Sequence, residues 1–283
     1  MRDAMRLHSC FGAVALACAA AAQAQPSTQQ QIEIIGTSPL PGQGVSRDVL
    51  PYNTQVVRRG MLDAAQADNA TDYMARRLPG MQVNDIQGSP FQGDLTFRGF
   101  RASGVLGASQ GLSVYVDGVR VNEPFGDVIN WDLIPEFAID SMSLVPGANP
   151  AFGLNSLGGA LSFTTASGAS APGLRGELAL GSFSRKTASL SHGGQHAEGW
   201  SHYVGVGLFD ETGWREFSPS RLGNVVAKLA HSGSAGELSL NILLGRSKLV
   251  GNNLTPQFTF DDSAAPTRIN RVACRRACNR TRT

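Results

Sequence analysis

From residue 173 onward the chain alternates. Leu174, Leu178 and Leu180 fall on one side of a first segment, and Ala188 and Leu190 on one side of a second. Val204, Val206 and Leu208 oppose Gly205 and Gly207, and Val225, Ala227 and Leu229 oppose Val226 and Lys228. Leu238, Leu240, Ile242 and Leu244 oppose Glu237, Ser239 and Asn241. Apolar side chains at every second position define a strand with one apolar face. Segments of this kind, joined by turn residues and with no helical pattern between them, pair as an antiparallel meander. Two architectures are built this way. One is a transmembrane barrel wall, with apolar residues outward and small or polar ones inward. The other is a soluble β-sandwich. Glycine on one face and charges near the turns suit the wall, but strand by strand the two look alike.

The start of the chain narrows the compartment. Residues 1–24 carry Arg2 and Arg6, a 12-residue apolar run from 11 to 22, and Ala22-Gln23-Ala24. A positive start, a short apolar stretch and an A-x-A site form a secretory signal. Twelve residues of helix span about 18 Å, short of the ~30 Å of a hydrocarbon core. The net charge of +2 comes from the ends: Arg2, Arg6 and Asp3 lie in the leader, and six Arg with no acid lie in 268–283. Residues 25–267 hold 16 basic and 21 acidic residues, a net charge of −5, so nothing points to a nucleic-acid partner. All four cysteines (Cys10, Cys18, Cys274 and Cys278) lie in these ends, leaving the body without a disulfide framework or a Cys-based metal site.

Residues 25–31 are a polar tail, followed by Ile32, Glu33, Ile34, Ile35 and Gly36, a β-prone island fit to add as a strand to another protein's sheet edge or to open this chain's own fold. A turn-rich linker, 38–44, follows. Residues 51–167 read as an α+β unit of normal domain size. Strands are expected at 55–57, 81–84, 94–100, 141–145 and 160–165. Helices are expected at 60–67 and 131–138, and at 70–78 with Asn69 as N-cap and Pro79-Gly80 as stop. Val114-Tyr115-Val116 and Val119-Arg120-Val121 flank Asp117-Gly118, the pair a type I′ hairpin turn favours. Residues 168–172 form a linker into the alternating segments.

Motifs for chemistry are weak. Gly107 to Gly111 match G-x-S-x-G around Ser109, but a nucleophile elbow needs a preceding strand and a following helix, and here a strand and hairpin follow. His192 and His196 flank Gly193-Gly194, expected to be a surface turn, so they share no helical face for a metal. Cys274 and Cys278 lack a second ligand pair. No phosphate-binding glycine loop is present. The residues argue for no enzyme, no metal and no cofactor.

Read in order, the parts resemble the TonB-dependent outer-membrane receptors. Residues 75–83 (ARRLPGMQV) look like the family's helix-then-LPG segment, and 95–100 (LTFRGF) like its R-G strand. Residues 114–135 (VYVDGVRVNEPFGDVINWDLIP) resemble the plug hairpin and its continuation, and 143–165 (SLVPGANPAFGLNSLGGALSFTT) the segment that ends the plug. Ile32 to Gly36 sit where the family carries its TonB box. The resemblance covers about residues 32–260.

It implies an α+β plug domain followed by antiparallel β-strands of an incomplete transmembrane β-barrel. The expected parts are a signal peptide (1–24), a flexible N-terminus with the TonB box (25–50), the plug (51–167), the first barrel strands (168–267) and an aberrant or out-of-frame tail (268–283). The family takes up scarce nutrients, mostly ferric siderophores and other metal chelates, across the outer membrane. Its partners are TonB, powered from the inner membrane, the lipid, and the small-molecule ligand. By resemblance, Ile32, Glu33, Ile34, Ile35 and Gly36 couple to TonB, and Arg98 is the plug arginine that packs toward barrel-wall carboxylates. Loops 87–93, 101–111 and 122–131 are candidates for the substrate side, with Phe91, Arg101, Phe125 and Trp131 facing ligand or packing plug on barrel. A wall of about 22 strands at ~10 residues each needs about 220 strand residues, and 168–267 hold enough for some five. A truncated or frame-shifted product is therefore expected. The alternative is a secreted or periplasmic binding or adhesion module with a soluble β-sandwich.

Overall fold

The computed structural model describes residues 53–65, 67, 69–85, 88–215, 218–233 and 236–251, with the backbone of 34–35 and 45–46. The leader, Ile32, Glu33, Gly36 and the terminal cysteines lie outside these residues. Two short strands, β1 (Ile34–Ile35) and β2 (Val45–Ser46), come first.

Residues 53–167 form the α+β unit. Strand β3 (Gln55–Arg58) leads directly into helix α1 (Arg59–Ala65). Helix α2 (Ala70–Arg77) starts as its sequence requires: the Asn69 side chain accepts from the Asp72 N–H at 2.9 Å, satisfying one free amide of the first turn. Its last turn carries Arg76 and Arg77, suited to the negative end of the helix dipole. Strands β4 (Met81–Asn84), β5 (Asp94–Phe97) and β6 (Phe100–Ser103) form a three-stranded sheet. The alternation of 94–100 suggests one strand, but the chain reverses at Arg98-Gly99. Both residues have positive φ (50° and 90°), the geometry of a tight hairpin turn, and Phe97 pairs with Phe100.

The second sheet of the unit is mixed. β7 (Leu112–Val116) and β8 (Val119–Arg120) form the expected hairpin, with Asp117 and Gly118 at φ 47° and 81°. β9 (Ile139–Pro146) and β10 (Gly159–Thr165) complete it in the order β3-β9-β10-β7-β8. The β10–β7 pair is parallel, with Leu161 beside Val114. Residues 131–138 are two 3-10 turns, Trp131–Leu133 and Glu136–Ala138, instead of one helix. Pro135 between them has no N–H to continue a helix, and its ring restricts the residue before it. Val114, Leu161, Phe163, Met142 and Leu144 from this sheet pack with Tyr73 and Met74 of α2 in one core, each at most 3% exposed. Burying each such side chain contributes about 1.5–3 kcal/mol.

Behind this unit stands one antiparallel sheet of β11 (Gly173–Leu180), β12 (Lys186–Gln195), β13 (Trp200–Glu211), β14 (Ser220–Gly233) and β15 (Gly236–Leu249), paired in sequence order. The turn expected at Gly193-Gly194 is absent. Both glycines stay in the ladder, paired with Tyr203 and His202, so His192 lies within a strand. The α+β unit covers the inner face of β12, β13 and β14, whereas β11 is exposed along its whole length and β15 along nearly all of it. The outer face is bare: Leu178 and Leu180 are each 86% exposed, and Leu190, Val204, Leu208, Leu240 and Leu244 are likewise exposed. A sandwich would bury this face under a second sheet, and among the described residues no second sheet packs on it. Contiguous apolar surface of this extent marks contact with a partner or a membrane. No helix among the described residues is long and apolar enough to cross a membrane, which says nothing about crossing by strands.

Asn122 shows how local chemistry completes the mixed sheet. β8 ends at Arg120, and beyond it the Asn122 side chain accepts from Val114 N–H (2.7 Å) and donates to Leu112 O (3.1 Å). We predict that Asn122→Ala, which strands both buried groups, costs about 1–3 kcal/mol, read as a lower urea midpoint. An unchanged midpoint would refute this role.

Candidate functional site

The three loops singled out in the sequence meet at one end of the molecule. Gly104 N–H donates to Gly93 O (3.5 Å), and Ile129 N–H donates to Ser103 O (2.9 Å). Between them and the end of β15 lies a polar cleft of about 240 Å³, lined by Phe91, Gln92, Gly104, Asn130, Asp132 and Ser247 among others. The Gln92 side-chain oxygen is buried and has no hydrogen-bond partner among the described residues. A larger cleft of about 900 Å³ runs between the α+β unit and the β11 side of the sheet, past Arg59, Asp63, Phe91, Arg175 and Phe209.

The named residues take different places. Phe125 is 77% exposed in its loop. Phe91 is half-buried, its ring edge-on to Phe209 of the wall at 4.8 Å and 89°. Arg101 is tied to the buried Asp94 carboxylate at 3.4 Å. Trp131 is 4% exposed, packed at 6.5 Å against Phe163 in the core, and it also borders the larger cleft. Arg98 is exposed at its hairpin tip with its guanidinium 5.0 Å from the Phe97 ring centre, and it forms no ion pair among the described residues. Of the coupling candidates, only the strand backbone of Ile34 and Ile35 is described. Ser109 lies in the loop between β6 and β7 with strand, not helix, after it, so no nucleophile elbow exists. Among the described residues no group of three or more His, Cys, Asp or Glu is arranged to hold a metal ion.

The contacts that sequence reasoning missed lie along the seam between unit and wall. Phe137, in the second 3-10 turn, rests its ring on Gly205 and Gly207 of β13. A Cβ at either glycine would come within 2.6 Å of that ring. Glycine on this face therefore makes room for one aromatic side chain. Beside it Tyr203 donates its hydroxyl to Phe137 O at 3.2 Å, and Asn224 donates to Asp132 O at 2.7 Å. The centre of the seam is charged. Lys228 of β14 reaches Asp117 Oδ1 (3.3 Å), Thr165 Oγ1 (3.1 Å) and Thr165 O (3.4 Å). Asp117 also accepts from the Thr165 N–H (2.9 Å) and hydroxyl. Both charged side chains are nearly nine-tenths buried, at 12% and 11% exposure. The available signal was a lysine midway along an otherwise mostly apolar stretch of strand.

A nearly buried pair of this kind is most sensitive to losing one member, because the other charge stays buried and uncompensated. We predict that Lys228→Met destabilises the folded chain by about 2–4 kcal/mol. Adding Asp117→Asn should recover part of that loss. Equal losses for the single and double variants in chemical unfolding would show that the two groups are not coupled.

Comparisons with known proteins agree with this architecture. Residues 46–160 match the family described as TonB-dependent Receptor Plug Domain. The vitamin B12 transporter BtuB of Vibrio vulnificus (strain CMCP6) is 29% identical over 161 residues, covering 56% of this chain and 25% of that protein. The chain thus spans about a quarter of that relative's length. Among solved structures, the ferric-catecholate import receptor Fiu from E. coli K12 in its open form aligns with a TM-score of 0.58 at 18% identity, over 78% of this chain and 30% of that one. BauA, the ferric preacinetobactin receptor of Acinetobacter baumannii, aligns with a TM-score of 0.58 at 16% identity, over 72% and 29%. The matched family is one of receptors, not enzymes. Residues 46–160 match the plug-domain family of TonB-dependent receptors, and the α+β unit together with the five strands behind it shares its fold with part of these solved receptors.

Proposed function

We propose that the chain belongs to an outer-membrane receptor that takes up a scarce nutrient, a ferric siderophore or another metal chelate, with energy delivered through TonB. The observation that carries this reading is the two-sided wall: a plug on its inner face and bare leucines on its outer face, the arrangement a lipid-exposed barrel requires. The siderophore receptors among the solved relatives support a metal chelate as substrate, and the vitamin B12 transporter supports the same class of bulky, metal-bearing ligand. Ligand would enter at these loops, where Phe125 is exposed and the Gln92 oxygen has no partner among the described residues.

In this proposal residues 1–24 direct export, 25–50 form the N-terminal segment, 51–167 the plug and 168–267 barrel strands. Ile32, Glu33, Ile34, Ile35 and Gly36 pair with TonB as an added strand, so the coupling depends on backbone groups more than side chains. Arg98 faces carboxylates of the barrel wall.

A host lacking this gene should lose growth on one member of a panel of ferric chelates and corrinoids. The intact gene should restore it. A gene lacking codons 32–36, or carrying Ile34→Pro, should restore ligand binding to cells but not uptake. Uptake at the intact level after either change would remove the coupling role. Recovery of the protein in the soluble periplasmic fraction would remove the membrane assignment.

A further inference from the structure

Three histidines gather on the outer face at the end of the sheet where β12 turns into β13. His192 lies in β12, His196 just beyond it and His202 in β13. His202 is in register with Gly194, which stands two residues from each of the others. Gly194 has no side chain, so the His202 ring lies across its backbone; a Cβ there would come within 2.7 Å of His202 Cε1. The ring therefore falls between the other two. His202 Nε2 is 3.1 Å from His192 Nδ1, and His202 Nδ1 is 2.7 Å from His196 Nε2. The planes of the outer rings lie within 24° and 25° of that of the central one.

This chain of three imidazoles has a fixed proton count. It has six ring nitrogens, four of them inside the two N···N hydrogen bonds. Each bond holds one proton. Three neutral rings carry three protons, so one outer nitrogen bears hydrogen and the other is a bare acceptor. One added proton fills the second outer nitrogen. The trio then carries a single positive charge and presents an N–H donor at both ends, His192 Nε2 and His196 Nδ1, with both internal bonds intact. A second added proton has no place without breaking a bond.

The surroundings suit an anion at a membrane margin. The residues paired with the trio on this face, besides Gly194, are Leu174 on β11 and Val204 on β13, opposite His192, and Leu229 on β14, opposite His202. None brings a charge. Glu198 lies in the connecting turn, and His231 of β14 sits one row further, packed against Trp200 at 4.7 Å. The exposed leucines begin directly beyond. A tryptophan beside imidazoles at the edge of an apolar band matches the belt where side chains meet lipid headgroups.

We propose that His192, His196 and His202 form a binding site for the phosphate of a phospholipid headgroup, switched on by a single proton. The proposal rests on the reading of the outer face as lipid-facing. It is tested by flotation of the full chain with vesicles of phosphatidylcholine, alone or with about 30% phosphatidylglycerol, at pH 7.5 and 5.5. Association with the phosphatidylglycerol vesicles should rise about five-fold at the lower pH, the effect of one added charge near an anionic surface. His202→Gln, which breaks the chain of rings, should lose that gain. So should Gly194→Val, which keeps all three histidines but displaces the central ring, and both should match the parent at pH 7.5. A gain that persists in both variants overturns the site. Loss of the gain on adding inorganic phosphate alone overturns the headgroup assignment. Association that depends on neither pH nor variant overturns the proton switch and leaves the lipid-facing reading standing, whereas no association with any vesicle overturns both.

Discussion

A β-strand can satisfy two environments only by alternation, and the wall sheet depends on this. Every apolar residue at an outward position of β13, such as Val204 or Leu208, has an inward neighbour that must suit whatever fills the other side. Here the inward neighbours are Tyr203, Gly205, Gly207 and Phe209, and the plug is shaped to them. Shifting the register by one residue would put Lys228 and Asn224 outward and Leu229 against the plug. Register, plug contact and outer surface are therefore one constraint expressed three times.

The seam shows how the plug is held without being fused to the wall. Its contacts are mixed: one aromatic ring on two glycines, several single hydrogen bonds, and one nearly buried ion pair. The ion pair also closes the plug on itself, because Asp117 binds the Thr165 N–H at the end of β10. Lys228 thus touches the place where the hairpin tip and the last plug strand meet. A buried pair of charges contributes less to net stability than to fixing one arrangement over its alternatives, since both ions lose water to form it.

Much of this was legible in the sequence wherever the deciding chemistry is local. Asn69 caps α2, Pro79-Gly80 end it, and Asp117-Gly118 turn the hairpin as their side chains and φ preferences dictate. The alternating wall strands were equally plain. The misses share a different cause. Arg98-Gly99 interrupts a run whose alternation continues on both sides, so the pattern hid the turn. Gly193-Gly194 has turn composition, yet partners on either side keep it in β12. The parallel pairing of β10 with β7, the ring of Phe137 on Gly205 and Gly207, and the reach of Lys228 join residues distant in the chain, and no spacing rule announces them. Of the candidate site, the sequence singled out the three loops as candidates for the substrate side; that they touch one another depends on contacts between residues distant in the chain. That Trp131 is core and Arg101 is tied to Asp94 depended on packing.

The position of β3 carries a mechanical consequence. It is the first strand of the plug's mixed sheet and lies at its edge, where among the described residues its ladder is with β9 alone, through residues 55–58, and the Gln55 side chain donates to Pro79 O. Traction on the chain ahead of residue 55 is borne first by this four-residue ladder, not by the parallel pair at the sheet's centre. The next anchor is Arg59, whose Nη1 faces the carbonyls of Glu136, Phe137 and Ile139 at 2.7–3.0 Å. Peeling β3 therefore transmits force to the segment that carries Phe137, the residue seated on the wall. A pull ahead of residue 55 would loosen the contact of the α+β unit with the five-stranded sheet before it breached the core.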